Sequence, residues 1–457
     1  MARHRSWTAG LVLAGTTLVS FQGGLLRVAF PAIRADLGAS IGSMELVGVA
    51  GLVVTIATVV IFGRLADLFG ARPIYSWGLL VFAVAAALSA AAPGVGALAA
   101  AQAGQGLGWS MAVSAATPLL VAAFPAEQRG RVVASSHMAI AIGLAAGPGA
   151  GGFVVEHLGW RAALLSVAPV ALVLSALVRT KLSADGPSRP RPHFDVAGSA
   201  WLAVALAVLL VLVDRTGHGG LPPAALMGMS ALVVVAFTAF LAVETRSAEP
   251  TVDMRLFRSR AFSAGLVASF LNFVAMASNM FLVPFFLQEA LGLSAGRAGT
   301  VMMAMPVGVL MAAPLAGRMA DRVGSRVPAT LGMVTVTGAI AIMATFTRGV
   351  SVAEVAAVLL VYGVGAGFFQ SPNISGVLGA APADRLGVAS GTLSTLGRLG
   401  QVVGVAVAGG LWERTGAFDT AFAVLAGFGV LAALSSWLRG PVAVAGRGTR
   451  PGSLQGL

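Results

Sequence analysis

The chain has 457 residues, 57% of them hydrophobic and 10% charged, with a mean hydropathy of +0.90 and a formal net charge of +12. That balance lies outside the range of soluble globular domains and predicts an all-α polytopic membrane protein, while the absence of cysteine excludes disulfides, thiolate metal sites and cysteine nucleophiles. The positive charge gives no nucleic-acid footprint, since the arginines are scattered through short loops instead of clustering beside aromatic stacking partners.

A helix needs about 20 apolar residues to cross the hydrocarbon core. The first such run, near 8–32, lacks a small-residue cleavage site before a polar segment and is expected to be a span, not a cleaved signal. Within it, the stretch SFQGGLLRVAFPAI (Ser20–Ile33) places Gln22 and Arg27 among apolar residues. Further runs fall near 44–63, 74–92, 97–121, 133–154, 161–178, 196–213, 222–243, 262–286, 297–316, 328–347, 352–373, 387–410 and 418–438, about fourteen spans in all.

The map satisfies the positive-inside rule when both termini are cytoplasmic. Six arginines then fall outside (Arg34, Arg161, Arg215, Arg297, Arg348 and Arg414), two lie within spans (Arg27 and Arg398), and the other 21 of the 29 basic residues are cytoplasmic. The long polar connections KLSADGPSRPRPHFD (Lys181–Asp195) and TRSAEPTVDMRLFRSR (Thr245–Arg260) bracket two spans, with six spans before that pair and six after it. The expected division is a six-helix bundle over 1–180, linkers with an inserted two-helix hairpin over 181–260, a second six-helix bundle over 261–440 and a cytoplasmic tail over 441–457.

After the second span of each six-span half comes the same element: GRLADLFGARP (Gly63–Pro73) and GRMADRVGSRVP (Gly317–Pro328). Such duplication marks secondary transporters, whose halves rock about a central site. In the fourth span AAQAGQGLGWSM (Ala100–Met111) carries Gln105 and Trp109. In the fifth, GLAAGPGAGG (Gly143–Gly152) sets Gly143, Gly147 and Gly151 four residues apart on one helix face, with Pro148 bending the segment beside Gly152.

These motifs resemble the major facilitator superfamily, specifically its fourteen-span drug:proton antiporter branch, over nearly the whole chain. The resemblance implies efflux of a drug or secondary metabolite by alternating access with inward proton flow, at a plasma membrane, by a monomer without cofactor or metal. It makes Gly63, Arg64, Asp67, Gly70 and Arg72, with Gly317, Asp321, Gly324 and Arg326, the gating elements, and Gly143, Gly147, Pro148, Gly151 and Gly152 the helix-packing motif of antiporters. The chain departs from the family pattern in three places: Gln102 stands where arginine is expected in the fourth span, and Gln22 and Arg27 replace an aspartate and an asparagine in the first.

An ionisable group inside the bilayer costs about 2.5–3.5 kcal/mol on the mildest insertion scale, so it faces a cavity and marks function. Arg27 and Arg398 are such groups, and none of the seventeen carboxylates falls at mid-membrane on this map. The candidate translocation residues are Gln22, Arg27, Gln105, Trp109, Asn272, Asn279, Asn373, Arg398 and Gln401, although polar groups of this kind also serve as interhelical glue. Glu289, His137 and Asp36 are the candidates for proton coupling. No catalytic constellation and no phosphate-binding loop is present, so energy must come from a gradient or from exchange. The sequence favours an anionic or neutral amphiphile as substrate. An exporter not coupled to protons, or a non-transporting or lipid-handling protein on the same scaffold, remains an alternative reading.

Overall fold

A backbone surrounded by lipid has only itself to hydrogen-bond with, and every regular element described here is helical. The computed structural model describes residues 2–125, 128–182, 201, 204, 205, 208, 222–244, 254–382 and 385–440. The helices are α1 (Ala2–Leu37), α2 (Ile41–Phe69), α3 (Ala71–Ala90), α4 (Val95–Ala123), α5 (Arg129–Lys181), α6 (Pro223–Glu244), α7 (Arg260–Phe285), α8 (Ala295–Met302), α9 (Ala304–Val323), α10 (Arg326–Met343), α11 (Val352–Gly379), α12 (Leu386–Thr415) and α13 (Phe418–Leu438), and a π-helical turn (Phe286–Ala290) prolongs α7. Among the described residues ten helical stretches are long and apolar enough to cross a membrane. The span expected near 196–213 lies largely outside the described residues.

Two breaks refine the expected spans. At 53 residues, α5 would be about 80 Å long if straight, far more than the roughly 30 Å of hydrocarbon. It bends at Gly159, whose φ of +83° is open to glycine and strained for any other side chain, into segments 129–158 and 160–181. The run near 297–316 is likewise broken at Met303 between α8 and α9.

Helices α1 to α5 pack together, as do α7 to α13, and the second set repeats the first: α1 on α5 matches α7 on α12, α2 on α4 matches α9 on α11, and α3 on α4 matches α10 on α11. Glycine makes each match possible. A Cβ at Gly106 would strike the backbone of Gly51, one at Gly363 the backbone of Met305 and Gly308, and one at Gly332 the carbonyl of Gly365. Helices whose attraction cannot come from the hydrophobic effect gain it from such close backbone approach and from short polar bonds. Examples are Thr55 Oγ1 donating to Gly106 O (3.1 Å) and Ser278 Oγ to Gly404 O (2.6 Å). Large apolar side chains such as Phe153, Val234 and Met311 are exposed on the outer surface, where lipid takes the place of water.

Helices joined by a tight turn run in opposite directions, α8 and α9 counting as one broken span. The turns at Gly38, Ala91, Gly159, Gly292 and Gly416 therefore lie at one end, here called distal, and those at Gly70 and Gly324 at the other, terminal end.

Candidate translocation site and gates

The signature repeat builds the same turn twice. Gly70 (φ +91°, ψ 146°) and Gly324 (φ +83°, ψ 168°) each end one helix and lead almost directly into the next. This conformation is essentially restricted to glycine, so valine at either position should cost about 1–3 kcal/mol. The expected outcome is a lower thermal unfolding midpoint in detergent for Gly70→Val and for Gly324→Val.

Equivalent arginines then tie α3 and α10 to the last helical segment of their own bundle. Arg72 donates to the carbonyl of Arg179, and Arg326 lies over the Trp437 ring of α13 at 3.9 Å. Arg179 in turn donates from Nε to Ser76 Oγ (2.8 Å) and covers Trp77 at 4.3 Å. A cation–π pair therefore closes both bundles at this level, with the arginine and tryptophan exchanged between the third helix and the last segment. Gly63 is half-buried, Gly317 has open space where a Cβ would stand, and Asp321 is exposed. Arg64 and Asp67, like His137, lie outside the residues whose side chains are described.

At the distal end the two bundles meet. Arg34 of α1 donates to both carboxylate oxygens of Glu289 (2.7 and 2.8 Å), and its guanidinium lies 5.6 Å from the centre of the Trp412 ring of α12. Gln288 donates to Val28 O (2.9 Å), and Glu156 accepts from Ser294 Oγ and from Gly296 N, both at 2.9 Å. Beneath these polar contacts Phe30 packs edge-on against Phe281 (5.8 Å) and stacks with Phe285 (6.3 Å). Asp36 is held within its own bundle by Arg161 and by Trp160 Nε1 (3.1 Å). Two of the carboxylates proposed from sequence thus serve ion pairs, Glu289 across the bundles and Asp36 within one.

The glycine motif of α5 works on two faces. Gly143, Gly147 and Gly151 pack against Thr17, Phe21, Gly24 and Leu25 of α1, and Pro148 fills the notch left by Gly24. Gly149 and Gly152 turn the other way, to Met303, Ala295 and Gly296, and a Cβ at Gly299 of α8 would strike the carbonyl of Pro148. One short stretch therefore both builds the first bundle and docks the second.

Midway along the helices, Arg398 of α12 lies 4.9 Å from the ring centre of Trp109 on α4. This pair joins the bundles where a substrate path would run. Arg27 is half-buried, with Nη1 shielded from water and lacking a hydrogen-bond partner. On an α-helix the five residues from Gln22 to Arg27 turn the side chain by about 500°, so the two stand roughly 140° apart. Arg27 shares its face with Arg34 and lies one turn from Phe30, the side of α1 that meets α7 and α12. Gln22 is 2% exposed, and neither of its side-chain polar atoms has a hydrogen-bond partner.

Most other polar positions singled out from sequence sit within one bundle. Gln105 donates to Ser89 Oγ (3.0 Å), as does Gln102 (3.3 Å), binding α4 to α3. Asn373 donates to Gly265 O (3.3 Å) and accepts from Arg439. Asn272 and Asn279, seven residues apart and so on one face of α7, are each 1% exposed and without a hydrogen-bond partner, and Gln401 is half-buried on α12. The sequence reading missed Trp412, Glu156 and the fully buried Arg439. By composition alone Arg439 is one more basic residue after a last span, and only its seat against Gly265 and Gly376 distinguishes it.

Two long-helix bundles of matching internal order, facing each other across a polar centre, define a transporter architecture. The model of the Major Facilitator Superfamily matches residues 12–247 and 265–453, and the chain belongs to that family. It is a membrane transporter and not an enzyme. The chain is 26% identical over 396 residues to the riboflavin transporter RibZ of Clostridioides difficile, covering 87% of this chain and 86% of that protein. It is 29% identical over 416 residues to a tetracenomycin C resistance and export protein of Streptomyces glaucescens, covering 89% and 76% respectively. In fold it is similar to the crystal structure of a peptide transporter, POT, with a TM-score of 0.69 at 15% identity, covering 94% of this chain and 93% of that one.

Proposed function

We propose that this protein exports a small organic compound, a drug or secondary metabolite of anionic or neutral amphiphilic character, by alternating access coupled to inward proton movement. The observation that carries the reading is the central pair of guanidinium groups, with Arg398 bridging to Trp109 across the bundles and Arg27 on the face of α1 turned to the second bundle. In a medium of low dielectric constant, fixed positive charge attracts anions and repels cations. Relatives named for drug resistance and metabolite export, such as the tetracenomycin C resistance and export protein, support the substrate class.

In this reading the chain follows the fourteen-span plan, with bundles over 1–180 and 261–440, an inserted hairpin between them, both termini on the cytoplasmic side of the plasma membrane, and a monomer as the working unit. The distal seal is then the external gate, and the conformation is one closed to the outside. Glu289, whose ion pair with Arg34 spans the seal, and Asp36, whose ion pair with Arg161 lies beside it within the first bundle, become the proton-coupling candidates, with His137 a third.

Everted membrane vesicles test this directly, with uptake of fluorescein and of methyl viologen quantified by mass spectrometry after filtration. Fluorescein is expected to accumulate several-fold faster when the vesicle interior is acid, and methyl viologen to be excluded. Equal fluorescein rates with and without the pH gradient would remove the antiport assignment, and equal uptake of the two probes would remove the charge preference.

A further inference from the structure

A cavity of about 480 Å³ lies at the distal end of the second bundle, between the π-helical turn, the connection from α10 to α11 and the turn from α12 to α13. Its volume falls within the roughly 300–1,000 Å³ typical of small-molecule sites. Every lining residue belongs to the second bundle, so the cavity stands apart from the proposed export path between the bundles. Two of its walls, Glu289 and Trp412, also hold Arg34, and the cavity therefore abuts the seal.

Local structure brings aromatic rings together here. Gly416, in the left-handed region at φ +63°, turns the chain sharply from α12 into α13, a conformation that glycine adopts without strain. Trp412 and Phe418 then face each other at 4.7 Å across that turn. Phe286, carried on the π-helical turn, stacks with Phe346 at 6.1 Å and meets Phe418 edge-on at 5.5 Å. Phe286 and Trp412 are buried and form the floor, while Phe346 and Phe418 are half-buried walls. π-Helical turns of this kind recur at functional sites.

The rim is charged, and its charges are unequally engaged. Glu289 gives both carboxylate oxygens to Arg34 and is neutralised. Asp419 uses only Oδ1, which accepts from Thr420 N (2.6 Å) and Thr420 Oγ1 (3.3 Å). Arg348 is exposed and makes no ion pair among the described residues, with Asp419 or any other acid. The cavity thus offers an aromatic floor, one available guanidinium and one available carboxylate oxygen. A cation alone would meet the repulsion of Arg348, and an anion alone that of Asp419.

We propose that this cavity binds an aromatic zwitterion, with its ring on Phe286 and Trp412, its carboxylate toward Arg348 and its ammonium group toward Asp419. A guanidinium matches a carboxylate in geometry as well as charge, and aromatic faces attract both flat rings and a neighbouring ammonium group. The site is distinct from the central arginines and holds whether or not transport is coupled to protons.

The test uses three compounds that share an indole ring and differ only in their charged ends: L-tryptophan with both, tryptamine with the ammonium group alone, and indole-3-propionate with the carboxylate alone. Binding of tritiated L-tryptophan to the purified full chain in nanodiscs is measured directly, and the other two by competition. Tryptophan is expected to bind saturably, with each analogue weaker by about two- to fivefold, the range for one exposed charge pair.

The substitutions should separate the two ends. Arg348→Gln should weaken tryptophan and indole-3-propionate by that factor and spare tryptamine. Asp419→Asn should weaken tryptophan and tryptamine and spare indole-3-propionate. Phe346→Ala should weaken all three about tenfold through lost ring contact. Both rim positions are exposed, and size exclusion of each variant verifies that it is folded. Absence of saturable tryptophan binding, equal affinity for the three compounds, or affinities that Arg348→Gln and Asp419→Asn leave unchanged would overturn the proposal.

Discussion

Gly147→Leu is expected to abolish assembly of the first bundle. A side chain at this position would enter the backbone of α1, with Phe21 O, Gly24 Cα and Leu25 N directly in its path. No flexible neighbour can yield there, so α1 and α5 would have to separate along the stretch that Gly143 and Gly151 share. Inserting bulk into a well-packed interior costs about 1–3 kcal/mol when the surroundings relax, and more when backbone opposes backbone. Gly152→Leu provides the contrast, because its Cβ would meet Ala295 and Gly296 of the other bundle. That variant should fold and reach the membrane but fail to seal its distal end. Fluorescence-detected size exclusion and thermal unfolding in detergent should show loss of monodisperse protein for Gly147→Leu and its retention for Gly152→Leu. Equal behaviour of the two would refute the two-faced role of the motif.

The second large effect concerns the central cations. Arg398→Ala should lower fluorescein uptake into everted vesicles about 10- to 100-fold, the range expected when a charged hydrogen-bonding partner worth roughly 1.5–3 kcal/mol is withdrawn. Arg398→Lys keeps the charge but loses the planar face that lies over Trp109, and should recover only part of the rate. Arg27→Ala should reduce fluorescein uptake similarly while leaving thermal stability unchanged or raised, since Nη1 is buried without a partner. A rate unaffected by either alanine variant would assign both arginines a purely structural role.

How much of this was legible beforehand varies residue by residue. The spacing of Gly143, Gly147 and Gly151 placed them on one helix face, and the duplicated GR-x-AD element gave two equivalent turns, because helical periodicity and the conformational freedom of glycine are local properties. Sequence could not show that Gly152, next to Gly151, faces the other bundle. Nor could it separate the two kinds of polar residue: Gln105 and Asn373 prove to be bonded within a bundle, whereas Trp109 and Arg398 meet across the two. An isolated glutamine, asparagine or arginine in an apolar run has the same local signature whether its partner is lipid-distant glue or open path.

Glu45 shows the same limit most sharply. Near the start of a span a glutamate reads as a solvated end group, and nothing nearby in the chain says otherwise. In the fold its side chain is 2% exposed and lies against Gly409 of α12, more than 350 residues later. Composition and periodicity by themselves determined that this chain is a bundle of membrane-length helices in two related halves, since the bilayer dictates length and apolarity turn by turn. Tertiary structure decided which charges are paired, which are buried and which face the other half, because those properties belong to contacts between helices distant in sequence.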